Sequence, residues 1–155
     1  MKTLFTLLFV LLAALPSAVD ATSGEVSVGE QLPNAPMQGL TGGSVFISQY
    51  FGKPLIINVW ASYCGPCLAE MGSLERLFQR YGDRFNVIGI SIDDYRERAE
   101  VFLAKADTTF PHFIDRQLML ENMLGAKSIP LTLLIDAEGR VLQKVRGAQE
   151  WDSPE

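Results

Sequence analysis

The feature that most constrains the fold is a change of sequence pattern within residues 55–81. The first six of these residues form an apolar run rich in branched side chains, typical of a β-strand buried on both faces. From Gly65 onward, apolar residues recur every three or four positions, which predicts an amphipathic helix. The only two cysteines, Cys64 and Cys67, lie at the junction. The sequence therefore places two thiols where a buried strand passes into a helix.

Strand-like and helix-like patterns alternate along the rest of the chain. A Gly-Gly turn at 42–43 predicts a small hairpin before the first buried strand. After the first helix we expect a second strand, and then a helix capped by Asp93 with Tyr95 facing inward. The remaining predicted elements are an extended piece at 110–114, a helix at 117–124, and strands at 131–135 and 140–146. This order predicts an α/β fold with a mixed central sheet flanked by helices.

The N-terminal residues predict export. Lys2 precedes an apolar run of about 12 residues, and small residues end at Ala21, which together are typical of a signal peptide at 1–21. The alternative is an uncleaved membrane anchor, but a bilayer span takes about 20 residues. We expect a protein of the periplasm or extracytoplasmic face, either soluble after cleavage or anchored by its N-terminus. Residues 22–36 are predicted to be an extended lead-in, and 37–155 the folded domain.

Length and charge exclude several classes of function. The 155 residues fit one domain, which needs no disulfide in order to fold. The net charge is -5 and no basic patch stands out, so no nucleic-acid partner is expected.

The position of the two cysteines predicts redox chemistry. At a helix N-terminus, free backbone N–H groups and the helix dipole favour the thiolate of Cys64 over its thiol. Cys67 lies within one helical turn and can attack a mixed disulfide that Cys64 has formed. Pro66 suits this first turn because its missing N–H has no helical partner there.

Other uses of two cysteines remain open alternatives. A structural disulfide across so short a loop would stabilise the fold weakly. A zinc site needs a full tetrahedral ligand set, whereas the chain offers Cys64, Cys67 and the single histidine His112, so no metal site is predicted. A copper-handling module built from these three residues is chemically reasonable, because soft thiolates suit Cu(I). A thiol peroxidase is a further alternative, although such enzymes usually place a lone reactive cysteine in another context.

Two segments resemble a known family. Residues 59–70, Val-Trp-Ala-Ser-Tyr-Cys-Gly-Pro-Cys-Leu-Ala-Glu, and residues 125–139, Gly-Ala-Lys-Ser-Ile-Pro-Leu-Thr-Leu-Leu-Ile-Asp-Ala-Glu-Gly, resemble the two signatures of the TlpA/ResA-type proteins. These are exported thiol–disulfide oxidoreductases of thioredoxin fold, and they include reductases of cytochrome c maturation. The resemblance implies net reduction of a disulfide-bearing substrate protein, with apocytochrome c as one candidate. It also implies a membrane thiol electron donor and no cofactor.

The resemblance also assigns residues to the site. It implies that Cys64 is the nucleophile, that Cys67 resolves the mixed disulfide, and that Glu70 assists proton transfer. From its position alone, Glu70 would be an ordinary solvated glutamate in a first helical turn. A cis peptide before Pro130 is implied, facing the cysteines. The residues implied to meet the substrate are Trp60, Gly65, Pro66, Ile129 and Pro130.

The sequence differs from thioredoxin itself at one place and departs from the family at two. Asn58 stands where thioredoxin has a buried acid, which puts more weight on Glu70 as proton acceptor. Gly72 replaces a proline that often bends the first helix. The family usually follows the position of Gly147 with a terminal helix, whereas this sequence stops at Glu155. We therefore expect that helix to be missing and the sheet to be covered in another way, or left partly exposed.

Overall fold

A computed structural model describes residues 24–153, so the predicted signal peptide lies outside the described residues. The described chain contains three α-helices: α1 (Gly65–Tyr81), α2 (Arg96–Ala106) and α3 (Met119–Leu124). Its strands are β1 (Pro36–Gly39), β2 (Val45–Phe46), β3 (Leu55–Trp60), β4 (Asn86–Ser91), β5 (His112–Ile114), β6 (Leu131–Ile135) and β7 (Val141–Arg146). None of the helices in 24–153 is long and apolar enough to cross a membrane.

The seven strands form one mixed sheet in the order β2-β1-β5-β4-β3-β6-β7. Strands β3, β4 and β5 run parallel, and all other neighbours pair antiparallel. The predicted α/β fold with an N-terminal hairpin is confirmed. Because β3 lies inside the sheet between β4 and β6, the loop that follows it opens at the carboxyl edge of the parallel strands, where ligand sites of such sheets commonly form.

The side chains of β3 alternate between two layers of the fold. Ile57 and Val59 face the larger core, which includes residues of α3. Asn58 and Trp60 point to the opposite face, toward α1 and α2. This alternation follows from the two-residue period of a strand, and both faces are buried as the apolar run predicts.

The lead-in packs against the sheet. Val26 and Leu32 are buried members of the larger core. The backbone N–H of Val26 donates to Met123 O at 2.8 Å, and that of Leu32 donates to Gly139 O at 2.8 Å. The chain before β1 therefore contributes core residues.

The prediction for the start of α2 was wrong. The helix begins at Arg96, and Asp93 does not cap it. Tyr95, predicted to face inward, is 56% exposed. Asp93 is instead buried, and Ser62 and Ser91 bond to its carboxylate, so it is not available to a helix three residues later.

No helix follows β7 within the described residues. Residues 149–152, called the C-terminal strap below, run instead along α1. Trp151 packs against a small buried cluster formed by Leu74 of α1, Val87 of β4 and Phe110. The strap thus covers apolar surface on the side of the sheet where α1 lies.

Candidate active site

Cys64 and Cys67 form a disulfide at the N-terminus of α1, with their Cα atoms 5.4 Å apart. Cys64 is the N-cap residue, in an extended conformation, and Gly65 and Pro66 begin the helix. Cys64 is 7% exposed, whereas Cys67 has no accessible surface. Of the two cysteines, only Cys64 keeps exposed surface.

The turn before Cys64 is held by Asp93. One carboxylate oxygen of Asp93 accepts the backbone N–H of Ser62 at 2.9 Å, and the other accepts the Ser62 hydroxyl. Ser91 at the end of β4 donates its hydroxyl to the same carboxylate at 2.7 Å. Asp93 thereby ties the loop after β3 to the end of β4 and fixes the approach of the chain to Cys64.

Trp60 supports the two cysteines from below. It is fully buried and shares one packed cluster with Cys64 and Cys67. Its indole stacks on Phe102 at 4.9 Å between ring centroids, and Nε1–H donates to His112 Nδ1 at 3.2 Å. Trp60 therefore packs beside the cysteines with no exposed surface, and the substrate contact that the resemblance implies for it stays a prediction.

Glu70 is buried, in contrast to the solvated side chain that its position alone predicts. It is only 1% exposed and lies one turn beyond Cys67 on α1. Trp151 Nε1–H donates to its Oε1 at 2.8 Å, and Asn58 Nδ2–H donates to Oε2 at 2.9 Å. Weaker contacts come from the backbone N–H of Gln149 at 3.3 Å and the hydroxyl of Thr132 at 3.4 Å.

Two opposing effects set the protonation of Glu70. Burial raises the pKa of its carboxyl, and the hydrogen bonds, led by that of Trp151, lower it; the net direction is upward. A buried carboxylate with a raised pKa, one turn from a cysteine, is suited to accept and return a proton.

The tertiary fold places the second family-like segment, residues 125–139, next to the cysteines. The Ile129–Pro130 peptide bond is cis, as the resemblance implies. Pro130 is buried, and Ile129 is partly buried against the cluster that contains Cys64 and Cys67. The start of β6 is therefore adjacent to the disulfide although more than 60 residues separate them in sequence.

Exposed residues flank Cys64 in the turn before α1 and on the first turn of the helix. Gly65 and Pro66 are exposed, Tyr63 is 73% exposed, and Leu68 is exposed on the first turn of α1. A shallow pocket of about 210 Å³ opens beside Tyr63, lined also by Leu118 and Glu121. Sequence reasoning included Gly65 and Pro66 but missed Tyr63, whose position next to Cys64 was the available signal.

The described residues do not assemble a metal site. Within 24–153, no group of three or more His, Cys, Asp and Glu side chains could hold a metal ion. His112 is buried, its Nδ1 receives the indole N–H of Trp60, and its Nε2 lies 2.8 Å from Thr108 Oγ1. Burial lowers the pKa of His112 to about 3, so the ring is neutral. His112 is therefore a buried packing residue beside Trp60, Thr108 and Phe110, and the copper alternative gains no support from the described residues.

Comparison with known proteins identifies the family. The Redoxin family matches residues 27–155. This chain belongs to the Redoxin family. The Redoxin-family chain is 31% identical over 152 residues to the thiol–disulfide oxidoreductase ResA of Geobacillus thermodenitrificans, covering 95% of this chain and 86% of the relative. It is 27% identical over 126 residues to ResA of Bacillus thuringiensis, covering 81% and 73%.

Solved structures agree with this assignment. A crystal structure from Chlorobium tepidum, assigned as a thiol:disulfide interchange protein DsbE, matches with a TM-score of 0.76 and 27% identity. The match covers 81% of this chain and 89% of that one. StoA of Bacillus subtilis, at 20% identity and a TM-score of 0.67, shares the fold. This Redoxin-family protein is a ResA-like thiol–disulfide oxidoreductase of thioredoxin fold, and the predicted enzyme class is confirmed.

Proposed function

We propose that this oxidoreductase reduces disulfides of partner proteins outside the cytoplasm, with Cys64 as nucleophile, Cys67 as resolving thiol and Glu70 as proton acceptor. The observation that carries the proposal is the order of burial at the disulfide: Cys64 is 7% exposed and Cys67 is fully buried. A partner sulfur can meet only Cys64 directly. A thiol peroxidase with a lone reactive cysteine would not need this paired arrangement.

The exchange proceeds in two steps. The Cys64 thiolate attacks one sulfur of the partner disulfide, that bond breaks, and the other partner sulfur leaves as a thiolate that takes a proton from water. Cys67 then gives its proton to the Glu70 carboxylate and attacks Cys64. The partner's second sulfur leaves as thiolate, and the Cys64–Cys67 disulfide forms. Two electrons have passed to the partner, and a dithiol donor must return the enzyme to its reduced form.

Asn58 is suited to both protonation states of Glu70. In the structure its Nδ2 donates to the Glu70 carboxylate, and its Oδ1 has no hydrogen-bond partner among the described residues. A half-turn of the amide would present Oδ1 to the O–H of a protonated Glu70. An aspartate at this position would oppose an ionised Glu70 by like-charge repulsion, whereas an amide accommodates either state.

The open surface around Cys64 is the proposed docking area for the partner chain. Exposed Tyr63, Gly65, Pro66 and Leu68 surround the reactive sulfur, and Ile129 borders the same cluster. The backbone of Ile129, before the cis proline, is proposed to pair with the partner's main chain. The partner is a protein with an accessible disulfide, with apocytochrome c as the candidate implied by the family resemblance.

The compartment follows from the sequence beyond the described residues. Residues 1–21 have the pattern of a signal peptide, cleaved or retained as an anchor, so we place the enzyme in the periplasm or at the extracytoplasmic face. Disulfide substrates persist there. The proposed electron donor is a membrane thiol protein, since an exported enzyme has no access to cytoplasmic thiols.

Trapping experiments test the cysteine roles. Cys67→Ser, expressed in the native compartment, should accumulate mixed disulfides through Cys64 that disappear on reduction. The matched control Cys64→Ser should trap nothing and should lack turnover on a protein disulfide. Normal turnover by Cys67→Ser would contradict the two-cysteine mechanism.

The direction of transfer is tested by the reduction potential. Proteins of this fold range from roughly -270 mV for reductants to roughly -120 mV for oxidants. We expect a value near the reducing end. A value near the oxidising end, together with faster oxidation than reduction of a dithiol peptide, would overturn the reductase assignment while leaving the cysteine roles intact.

A further inference from the structure

The C-terminal strap contacts α1 on successive turns. The Ser73 hydroxyl accepts the backbone N–H of Trp151 at 3.1 Å and lies 3.1 Å from Gln149 O. One turn further, the Arg76 guanidinium contacts Asp152 at 2.6 Å and Glu150 at 3.3 Å. Hydrogen bonds and ion pairs thus hold the strap in one register along the helix.

This register brings the Trp151 indole onto Glu70. The 2.8 Å bond from Trp151 Nε1 to Oε1 is the shortest that the carboxylate receives, and Asn58 holds the other oxygen from β3. The two donors are more than 90 residues apart in sequence and meet at a carboxylate one turn from Cys67. A carboxylate held at both oxygens keeps one orientation.

We infer that Trp151 is a positioning residue for the redox reaction: its indole N–H holds the Glu70 carboxylate ionised and oriented to receive the proton of Cys67. The inference rests on the proposed role of Glu70. Trp151 touches neither the cysteines nor the substrate surface in this assignment, and it acts only through Glu70.

The surroundings of the carboxylate make this hydrogen bond influential. Its contacts within 24–153 are neutral: the amide of Asn58 from β3, the hydroxyl of Thr132 from β6, and the indole and Gln149 backbone of the strap. On its own helix, Cys67 is the neighbour that carries a proton once the disulfide is reduced, and Arg76, paired with the strap's acids, lies further along. Burial raises the pKa of Glu70, and the hydrogen bond from Trp151 is the foremost effect that lowers it.

The test is Trp151→Phe, which keeps an aromatic ring and removes the N–H donor. The rate at which Cys67 resolves a preformed mixed disulfide is measured against pH by rapid mixing. On the acid side of this pH profile, called the acid limb, we expect the rate to fall by about tenfold or more. A hydrogen bond to a charged group shifts an equilibrium, here the ionisation of Glu70, by that order. At high pH the rate should return to the wild-type plateau. The carboxyl carbon of Glu70, followed by NMR, should titrate at a higher pH than in the wild type.

Two further variants separate this effect from loss of structure. Arg76→Gln cuts the exposed ion pairs of the strap and keeps the indole donor, so the acid limb should remain at the wild-type position. Benzothienylalanine placed at position 151 keeps the shape of tryptophan and lacks the N–H, and it should reproduce the shift of Trp151→Phe. If Trp151→Phe and the benzothienylalanine variant both lower the plateau rate but leave the acid limb of the pH profile in place, the role of Trp151 is merely structural. That result would overturn the inference.

Glu70→Gln distinguishes failure of this inference from failure of the proposed function. If Glu70→Gln leaves the acid limb unchanged, Glu70 is not the proton acceptor, and both proposals fall. If Glu70→Gln abolishes the limb while Trp151→Phe leaves the limb and the NMR titration at wild-type values, only the role of Trp151 is refuted.

Discussion

Gly89→Ala is the sharpest test of the packing beneath the active site. Gly89 lies on β4, opposite Asn58 of β3 and His112 of β5. A Cβ at this position would collide with His112 Nδ1 and come within 2.5 Å of its Cε1 and 3.0 Å of Trp60 Nε1. The two rings cannot easily move, because Trp60 is stacked on Phe102 and His112 lies 4.6 Å from Phe110 between ring centroids.

The expected cost combines two effects. Overpacking a close-packed interior costs about 1–3 kcal/mol. Separating Trp60 from His112 removes one buried hydrogen bond, worth about 1 kcal/mol. We therefore expect Gly89→Ala to lower the free energy of unfolding by about 2–4 kcal/mol, a large fraction of the roughly 5–15 kcal/mol typical of a domain. The rate of disulfide exchange should also fall, because Trp60 packs against both cysteines.

Urea unfolding of the oxidised protein, followed by far-UV circular dichroism, measures the change. The matched control is Gly72→Ala inside α1, where the nearest atom to an added Cβ is Arg76 Nη1 at 3.5 Å. Alanine at that helical site should stabilise the protein by about 0.5–1 kcal/mol. If Gly89→Ala unfolds within about 0.5 kcal/mol of the wild type, the close approach of Gly89 to the Trp60–His112 pair is not a constraint, and the reasoning fails.

Two further predictions concern the carboxylates near the site. Asp93→Ala leaves the donors of Ser62 and Ser91 without their acceptor. It should lower the free energy of unfolding in urea by about 2–4 kcal/mol and slow disulfide exchange at Cys64. An equal loss of stability from the exposed control Asp94→Ala would contradict the anchoring role of Asp93. Burial raises the pKa of the Glu70 carboxyl above 4.5, so the protonated form is more favourable in the folded protein than in the unfolded chain. Wild-type stability is therefore lost as pH rises through the folded-state pKa. The stability of Glu70→Gln relative to wild type should therefore increase above about pH 4.5; a pH-independent difference would refute this.

Local sequence patterns were sufficient for most of the secondary structure. The apolar run of β3 and the three-to-four spacing of α1 identified both elements, since these periods reflect which faces are buried. The start of α2 was missed because Asp93 satisfies the local rule for a helix cap, but a tertiary contact takes its side chain. Nothing within a few residues of Asp93 indicates that the loop after β3 approaches it.

In the candidate site, too, some features can be predicted from the sequence and others depend on the tertiary fold. Cys64, Cys67 and Pro66 are adjacent in sequence, so their chemistry is visible without a structure. The partners of Glu70 come from three distant places, Asn58, Thr132 and Trp151, and no spacing rule links them. From its helical position, Glu70 would be a solvated side chain, and only the tertiary fold decides that it is buried.

By itself, the sequence determined that two thiols stand at the start of a helix that follows a buried strand. That result depends on periodicity and on the helix dipole, both of which are local. The tertiary structure decided which of the two cysteines keeps exposed surface, brought Ile129 and Pro130 to the disulfide, and closed Glu70 beneath the C-terminal strap. These outcomes depend on which distant surfaces pack together, and packing free energy is a property of the whole chain.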